Sequence, residues 1–331
     1  MRSLTAAVLI LIILFLGGCK RKSPWDVNIS SVEVTPVEVK RYEKVLFEID
    51  PGNLRQEIDP YIDDYNLFLG EEINTPMGQQ QLYDYITDPM IRDLYDDTQQ
   101  VWSDIDELEE DLTLALRYLK YHFPQYPKPV FYSYISGLDF EHPVKYFEGN
   151  LIVGLDMFLG RDYENYEKVG VPAFKRTRFV PDAASVEIMR EYGQVLQQNY
   201  PMAPETLLDF MVEEGKLLYF MDSMFPDLPD SLKISYTTRQ INWAQQNEGH
   251  SWSFYVNNEL LYDTERQMIQ KLTGTGPFTA PFGNESAPRM AVYNGWQIVR
   301  SFMERNDDVS LEELFGMTDS REILSQSRYR P

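Results

Sequence analysis

Residues 182–222 read DAASVEIMREYGQVLQQNYPMAPETLLDFMVEEGKLLYFMD, and their spacing predicts two successive helices. Wound at 3.6 residues per turn, residues 182–200 set Arg190 and Gln194 one turn apart on one face. Glu191 lies beside them, with Val186, Met189 and Gly193 as near neighbours. Residues 205–222 carry Leu207, Met211, Glu214, Leu218 and Met221 at alternating steps of four and three, so one carboxylate interrupts an apolar stripe. Glu213 has apolar neighbours of its own in Phe210, Leu217 and Phe220, and periodicity does not choose between the two glutamates.

Around this pair lies a chain of 331 residues, long enough to bury a sizeable core. Its 43% hydrophobic and 14% aromatic content is that of a globular protein with large packed side chains. A formal charge of -22 works against nucleic acid or an anionic membrane face as partner, since both would be repelled. No internal repeat, low-complexity tract or interdomain linker stands out, which favours one domain over residues 30–331.

The N-terminus reads as an export signal. Arg2 supplies the positive start, and residues 4–16 form an apolar run too short for the roughly 20 residues a spanning helix needs. Leu16, Gly17, Gly18 and Cys19 resemble the bacterial lipobox, which implies a signal peptide over residues 1–18 and acylation of Cys19. Cys19 is the only cysteine, so once it is in thioether linkage the mature chain has no disulfide, thiol nucleophile or thiolate metal site. Residues 19–29 are then a lipid-anchored tether. Lys20, Arg21 and Lys22 lack the acidic run that follows the cysteine of surface-exported lipoproteins in such bacteria, so the expected orientation faces the periplasm.

Further along, residues 32–49 alternate for part of their length and predict a strand that Pro36 confines to an edge or splits. Helical spacing covers residues 54–69, 80–99 and 101–123. The acidic run at 104–111 lacks the glycine and terminal glutamate of a calcium loop and reads as a solvated helix face. Residues 130–135 and 150–155 predict two strands, expected to pair antiparallel, with Asp156 as a turn or cap residue. Residues 238–261 predict a long helix weakened by Gly249, residues 274–288 a loop, and residues 289–305 and 311–326 further helices.

Four segments resemble the gliding motility lipoprotein GldB family: residues 205–222, GLDMFLG at 154–160, YNGWQIVRSFM at 293–303 and the terminal SRYRP. The resemblance implies a role in gliding motility and the associated type IX secretion machinery, exercised through contacts with envelope proteins. A second resemblance is to zinc peptidases of the gluzincin type. REYGQ at 190–194 has the HExxH layout with both histidines missing, and Glu214 lies 20 positions after Gln194, where those enzymes place a third ligand. This likeness implies a zincin-like architecture: a predominantly helical α+β fold with a small, mainly antiparallel sheet whose edge strand runs over the cleft.

A catalytic zinc needs three protein ligands and an open position. The three histidines here, His122, His142 and His250, are scattered, and neither arginine nor glutamine serves, so no metal, no cofactor and no catalytic residue is expected. There is no GxSxG elbow or Walker motif either. Arg190 is expected to pair with Glu214 or Glu191, its fixed charge standing in for the metal's. Arg190, Glu191, Gln194, Glu214, Arg289, Tyr293 and Trp296 are expected to line the relic cleft. Two alternatives remain open: a metallopeptidase with displaced ligands, and a periplasmic peptide or glycan receptor.

Overall fold

A computed structural model describes residue 25 and residues 27–331; the leader, Cys19 and most of the expected tether lie outside the described residues. The two central helices form where the spacing puts them, α5 over Ala184–Gln197 and α6 over Leu207–Met224. Helix α6 starts at a capping box, in which Thr206 accepts from the Asp209 amide and the Asp209 carboxylate accepts from that of Thr206. Among its residues only Asp209, Phe210, Glu213 and Glu214 are not buried, so it is wrapped on nearly every side. Against it lies α10, Met290–Met303. A Cβ on Gly295 would sit well inside van der Waals contact with the Met211 carbonyl, and one on Gly215 would lie 2.5 Å from the Gly295 carbonyl oxygen. These two helices therefore touch backbone to backbone. Gly193 brings α5 in as well, since a Cβ there would meet the Phe220 ring at 2.8 Å.

The fold is predominantly helical α+β, with a mixed four-stranded sheet of order β1-β2-β4-β3. The strands are β1, Val39–Arg41; β2, Val130–Tyr134; β3, Val144–Phe147; and β4, Asn150–Gly154. Here the expected antiparallel pairing is corrected: β2 runs parallel to β4, Phe131 opposite Leu151, and β1 parallel to β2. Only β3 is antiparallel, turning into β4 through Glu148 and Gly149, both at positive φ as a two-residue hairpin requires. The short VKYF strand intervenes between the two segments foreseen, and reverses the direction of the second. Asp156 is not a helix cap. Its fully buried carboxylate accepts from the Ser136 amide and hydroxyl and from the Leu138 amide at 2.8–2.9 Å, pinning the loop that leaves β2. Burial pushes this carboxyl above its ordinary pKa in spite of those bonds.

Most of residues 32–49 is not strand. After β1 the chain forms α1, Tyr42–Glu48, whose buried Tyr42, Glu43, Leu46 and Phe47 follow helical spacing. Ahead of β1 the main chain bonds to side chains instead of to a neighbouring strand. Val37 and Val39 amides donate to Thr113 and Glu109, and Arg117 and Lys120 donate to the carbonyls of Ile29, Val32 and Glu33. Those side chains belong to α4, Asp106–His122, which starts later than the foreseen residue 101. Prolines break the other expected helices. Residues 54–69 keep only short turns at Leu54–Ile58 and Asn66–Leu69, and Pro89 separates α2, Pro76–Thr87, from α3, Pro89–Trp102.

C-terminal to α6 run α7, Asp230–Ile234; α8, Thr238–Asn257; and α9, Arg266–Thr273. Helix α8 carries Gly249 without a break and ends short of the foreseen residue 261. Two short helices, α11, Leu311–Gly316, and α12, Ser320–Ser327, close the chain.

Candidate functional site

Two adjoining cavities of about 240 and 490 Å³ share Arg190 and Gln194 of helix α5 in their walls. The smaller is completed by Glu214 of α6, Tyr236 and Arg289; the larger by Glu191 and by the edge strand β3 from Val144 to Tyr146. Arg178, from the turn preceding α5, borders both. Five of the seven residues foreseen for the cleft thus line it: Arg190, Glu191, Gln194, Glu214 and Arg289. Of the two adjacent glutamates it is Glu214 that faces it. Glu213 is instead bonded to Lys216 at 2.6 Å and to the Gln197 amide at 3.0 Å.

Arg190 does not pair with Glu214 or Glu191. Its Nε lies 3.5 Å from Glu187, three residues earlier on the same helix, and its guanidinium also donates to the Lys233 carbonyl. Glu187 is buried and additionally takes Arg178 at 3.3 Å and the Ser235 hydroxyl at 3.2 Å. Burial alone would raise the Glu187 pKa, but the charges of Arg178 and Arg190 outweigh it and hold the carboxyl below its usual value. A buried carboxylate has to be paired, and Glu187 needs Arg190 more than the half-buried Glu191 does. The signal was present in the sequence as an i,i+3 glutamate–arginine pair. Burial lowers the Arg190 pKa, and Arg289 and Arg178 press in the same direction. At Glu191 burial pushes the carboxyl up.

Glu214 is held by Arg289 at 2.5 Å. Arg289 caps α10 with φ of 52°, a left-handed conformation uncommon for a residue with a side chain, and its Nε donates to the Thr273 carbonyl at 3.3 Å. That arrangement fixes the guanidinium at the cavity mouth.

Tyr293 and Trp296 are not in the cleft. The close approach at Gly295 turns this face of α10 inward, so both are buried. Tyr293 donates to Glu248 at 3.3 Å, and Trp296 Nε1 to Asp222 at 2.8 Å. Asp222, fully buried at the end of α6, also binds Arg300 at 2.6 and 2.7 Å and Lys233 at 3.0 Å, while Arg300 lies 3.7 Å over the Trp296 ring and holds Asp230. Burial would raise the Asp230 pKa, but its bonds to Arg300 hold it below the ordinary value. A second network joins Asn294, Ser251, Glu248 and Tyr329 of the terminal SRYRP. Lys233 ties cleft to interior, because its carbonyl receives Arg190 while its ammonium meets Asp222.

The donor set suits anions better than cations. A guanidinium offers five N–H donors and no lone pair, so Arg190 cannot ligate a metal. Of the histidines, only His142 lines the cleft; burial lowers the His122 pKa to about 4. Among the described residues no three or more His, Cys, Asp or Glu side chains are grouped to hold a metal ion.

Fold and site define a predominantly helical α+β protein whose mixed sheet borders an arginine-lined cleft. The family model of the gliding motility protein GldB matches residues 22–331, and the chain belongs to that family. It is a gliding motility lipoprotein. No curated protein and no solved structure matches it. No helix among the described residues is long and apolar enough to cross a membrane.

Proposed function

We propose that the chain is a non-catalytic component of the gliding motility and type IX secretion machinery, acting through protein contacts at a cleft of peptidase shape. The observation that carries this reading is the occupancy of the three positions that the gluzincin likeness assigns to metal ligands. Arg190, Gln194 and Glu214 line one cavity, with Arg190 committed to Glu187 and Glu214 to Arg289. Two arginines stand where a cation would have to enter. Beside them β3 is antiparallel and at the sheet edge, which supports the zincin-like architecture.

In this reading residues 1–18 are removed, Cys19 carries the lipid, and one domain faces the periplasm; the tether expected over residues 19–29 is shorter, because Ile29 is buried in the core. Trp25 packs edge-to-face on Tyr219 and lies 5.0 Å from Arg300. Six residues of extended chain span at most about 20 Å, so the body sits close to the membrane.

Filling the cleft tests the reading. Gln194 is exposed and lines both cavities, so Gln194→Trp blocks them without disturbing the core. The variant is expected to accumulate in the envelope at the level of the unaltered protein and to leave a strain lacking that protein unable to glide. Full restoration of gliding by the variant would show that the cleft is not the working surface.

A further inference from the structure

The smaller cavity is basic in an acidic protein. Lys175, Arg178, Arg190 and Arg289 line it, against Glu214 alone among the acids, in a chain of formal charge -22. Their partners are Glu141 for Lys175, Glu214 for Arg289, and a single Glu187 shared by Arg178 and Arg190. Four cations against three carboxylates leave one positive charge uncompensated within this ring. The adjoining larger cavity shares Arg178 and Arg190 and carries Glu191 together with Glu141 and Glu187 on its wall.

Arg178 is the least satisfied of the four. Among the described residues its only ion pair is the 3.3 Å contact with Glu187, and its Nε is buried without a hydrogen-bond partner there. Arg289 is held at the mouth in a left-handed backbone conformation. The protein therefore maintains a preorganised guanidinium cluster at a cavity large enough for a small group. Guanidinium groups recognise carboxylates through parallel N–H···O bonds, which lysine cannot reproduce.

The neighbouring cavity indicates what bears the carboxylate. Its wall is β3, an edge strand that among the described residues pairs only with β4 and has no strand on its outer side. An extended polypeptide satisfies such an edge by strand addition, and Arg178 and Arg190, which line the cavity beside β3, also line the basic cavity. We propose that the cleft captures a carboxylate of an extended polypeptide, from its C-terminus or from an aspartate or glutamate, on Arg178, Arg190 and Arg289. This deepens the protein-contact reading above and rests on the cleft being its working surface.

Titration calorimetry on the purified full-length lipoprotein in detergent tests it with three alanine-rich hexapeptides. One has a free C-terminus, one is amidated and neutral, and one is amidated with a central aspartate. At least one of the two carboxylate peptides is expected to bind about tenfold or more tighter than the neutral one, with an affinity that falls as salt rises. Which of them binds tells a terminal from a side-chain carboxylate. Arg178→Gln is expected to remove that preference, and Gln194→Trp to abolish binding with the thermal unfolding midpoint unchanged. Equal binding of the neutral peptide would overturn the proposal. So would the absence of saturable binding by all three, or binding of a uronic acid oligomer in place of the peptides. If no peptide binds while Gln194→Trp still stops gliding, the carboxylate proposal falls and the cleft reading stands; restored gliding sinks the cleft reading whatever the peptides do.

Discussion

Gly295→Ala is expected to destabilise the protein by about 3 kcal/mol or more, at or beyond the upper end of ordinary overpacking. The added methyl would have to occupy the space of the Met211 carbonyl and its carbon, which are main-chain atoms in the middle of α6. A flexible side chain could move aside, but a helix backbone buried on nearly every side cannot. Separating α6 from α10 would also pull Trp296 away from Asp222 and open the inner network. Gly249→Ala is the control, since its new Cβ would meet nothing closer than 3.4 Å and α8 would gain a better helix former. Denaturant unfolding midpoints should fall for the first substitution and stay level or rise for the second. A Gly295→Ala protein as stable as the original would mean that the two helices do not touch as described.

Asp222→Ala is the second large effect, with an expected loss of about 3–5 kcal/mol. It would leave Lys233 and the Trp296 N–H, both buried, without their acceptor, and remove one of the two carboxylates that hold Arg300. Most of the loss comes from the groups left unpaired, because a buried ammonium without a counter-charge is far costlier than the pair is favourable. The change should also reach the cleft through Lys233, whose carbonyl receives Arg190. By contrast Arg239→Ala removes an exposed pair with Glu285 and is expected to cost less than about 1 kcal/mol. Unfolding midpoints of the two variants compared side by side give the answer; an Asp222→Ala loss no larger than that of Arg239→Ala would contradict the buried network.

Much of this is legible in the sequence. The ends of α5 and α6 fall within three residues of those read from spacing, because α5 has strong apolar periodicity and α6, though apolar nearly all round, has its capping box. The 20-residue interval favours Glu214 over Glu213, and Glu214 lines the smaller cavity. What escaped was partner choice. Alternation marks residues 130–135 and 150–155 as strands without saying which way they run, and the four-residue β3 that decides it is too short to announce itself. The peptidase likeness points Arg190 to Glu191 or Glu214, but the buried carboxylate of Glu187 lies a turn away and takes it. Family resemblance of their segment points Tyr293 and Trp296 to the cleft, but both lie in the interior. The glycine between them was the sign that this face of α10 meets another helix.

In the proposed reading, arginine and glutamine stand at the ligand positions of a peptidase-like cleft, which then holds no metal. The most direct measurement is the zinc content of the purified full-length protein after incubation with excess zinc and removal of loosely bound ions. Well under one zinc per chain is predicted, unchanged by Glu214→Gln. One zinc per chain, lost on that substitution, would contradict the account.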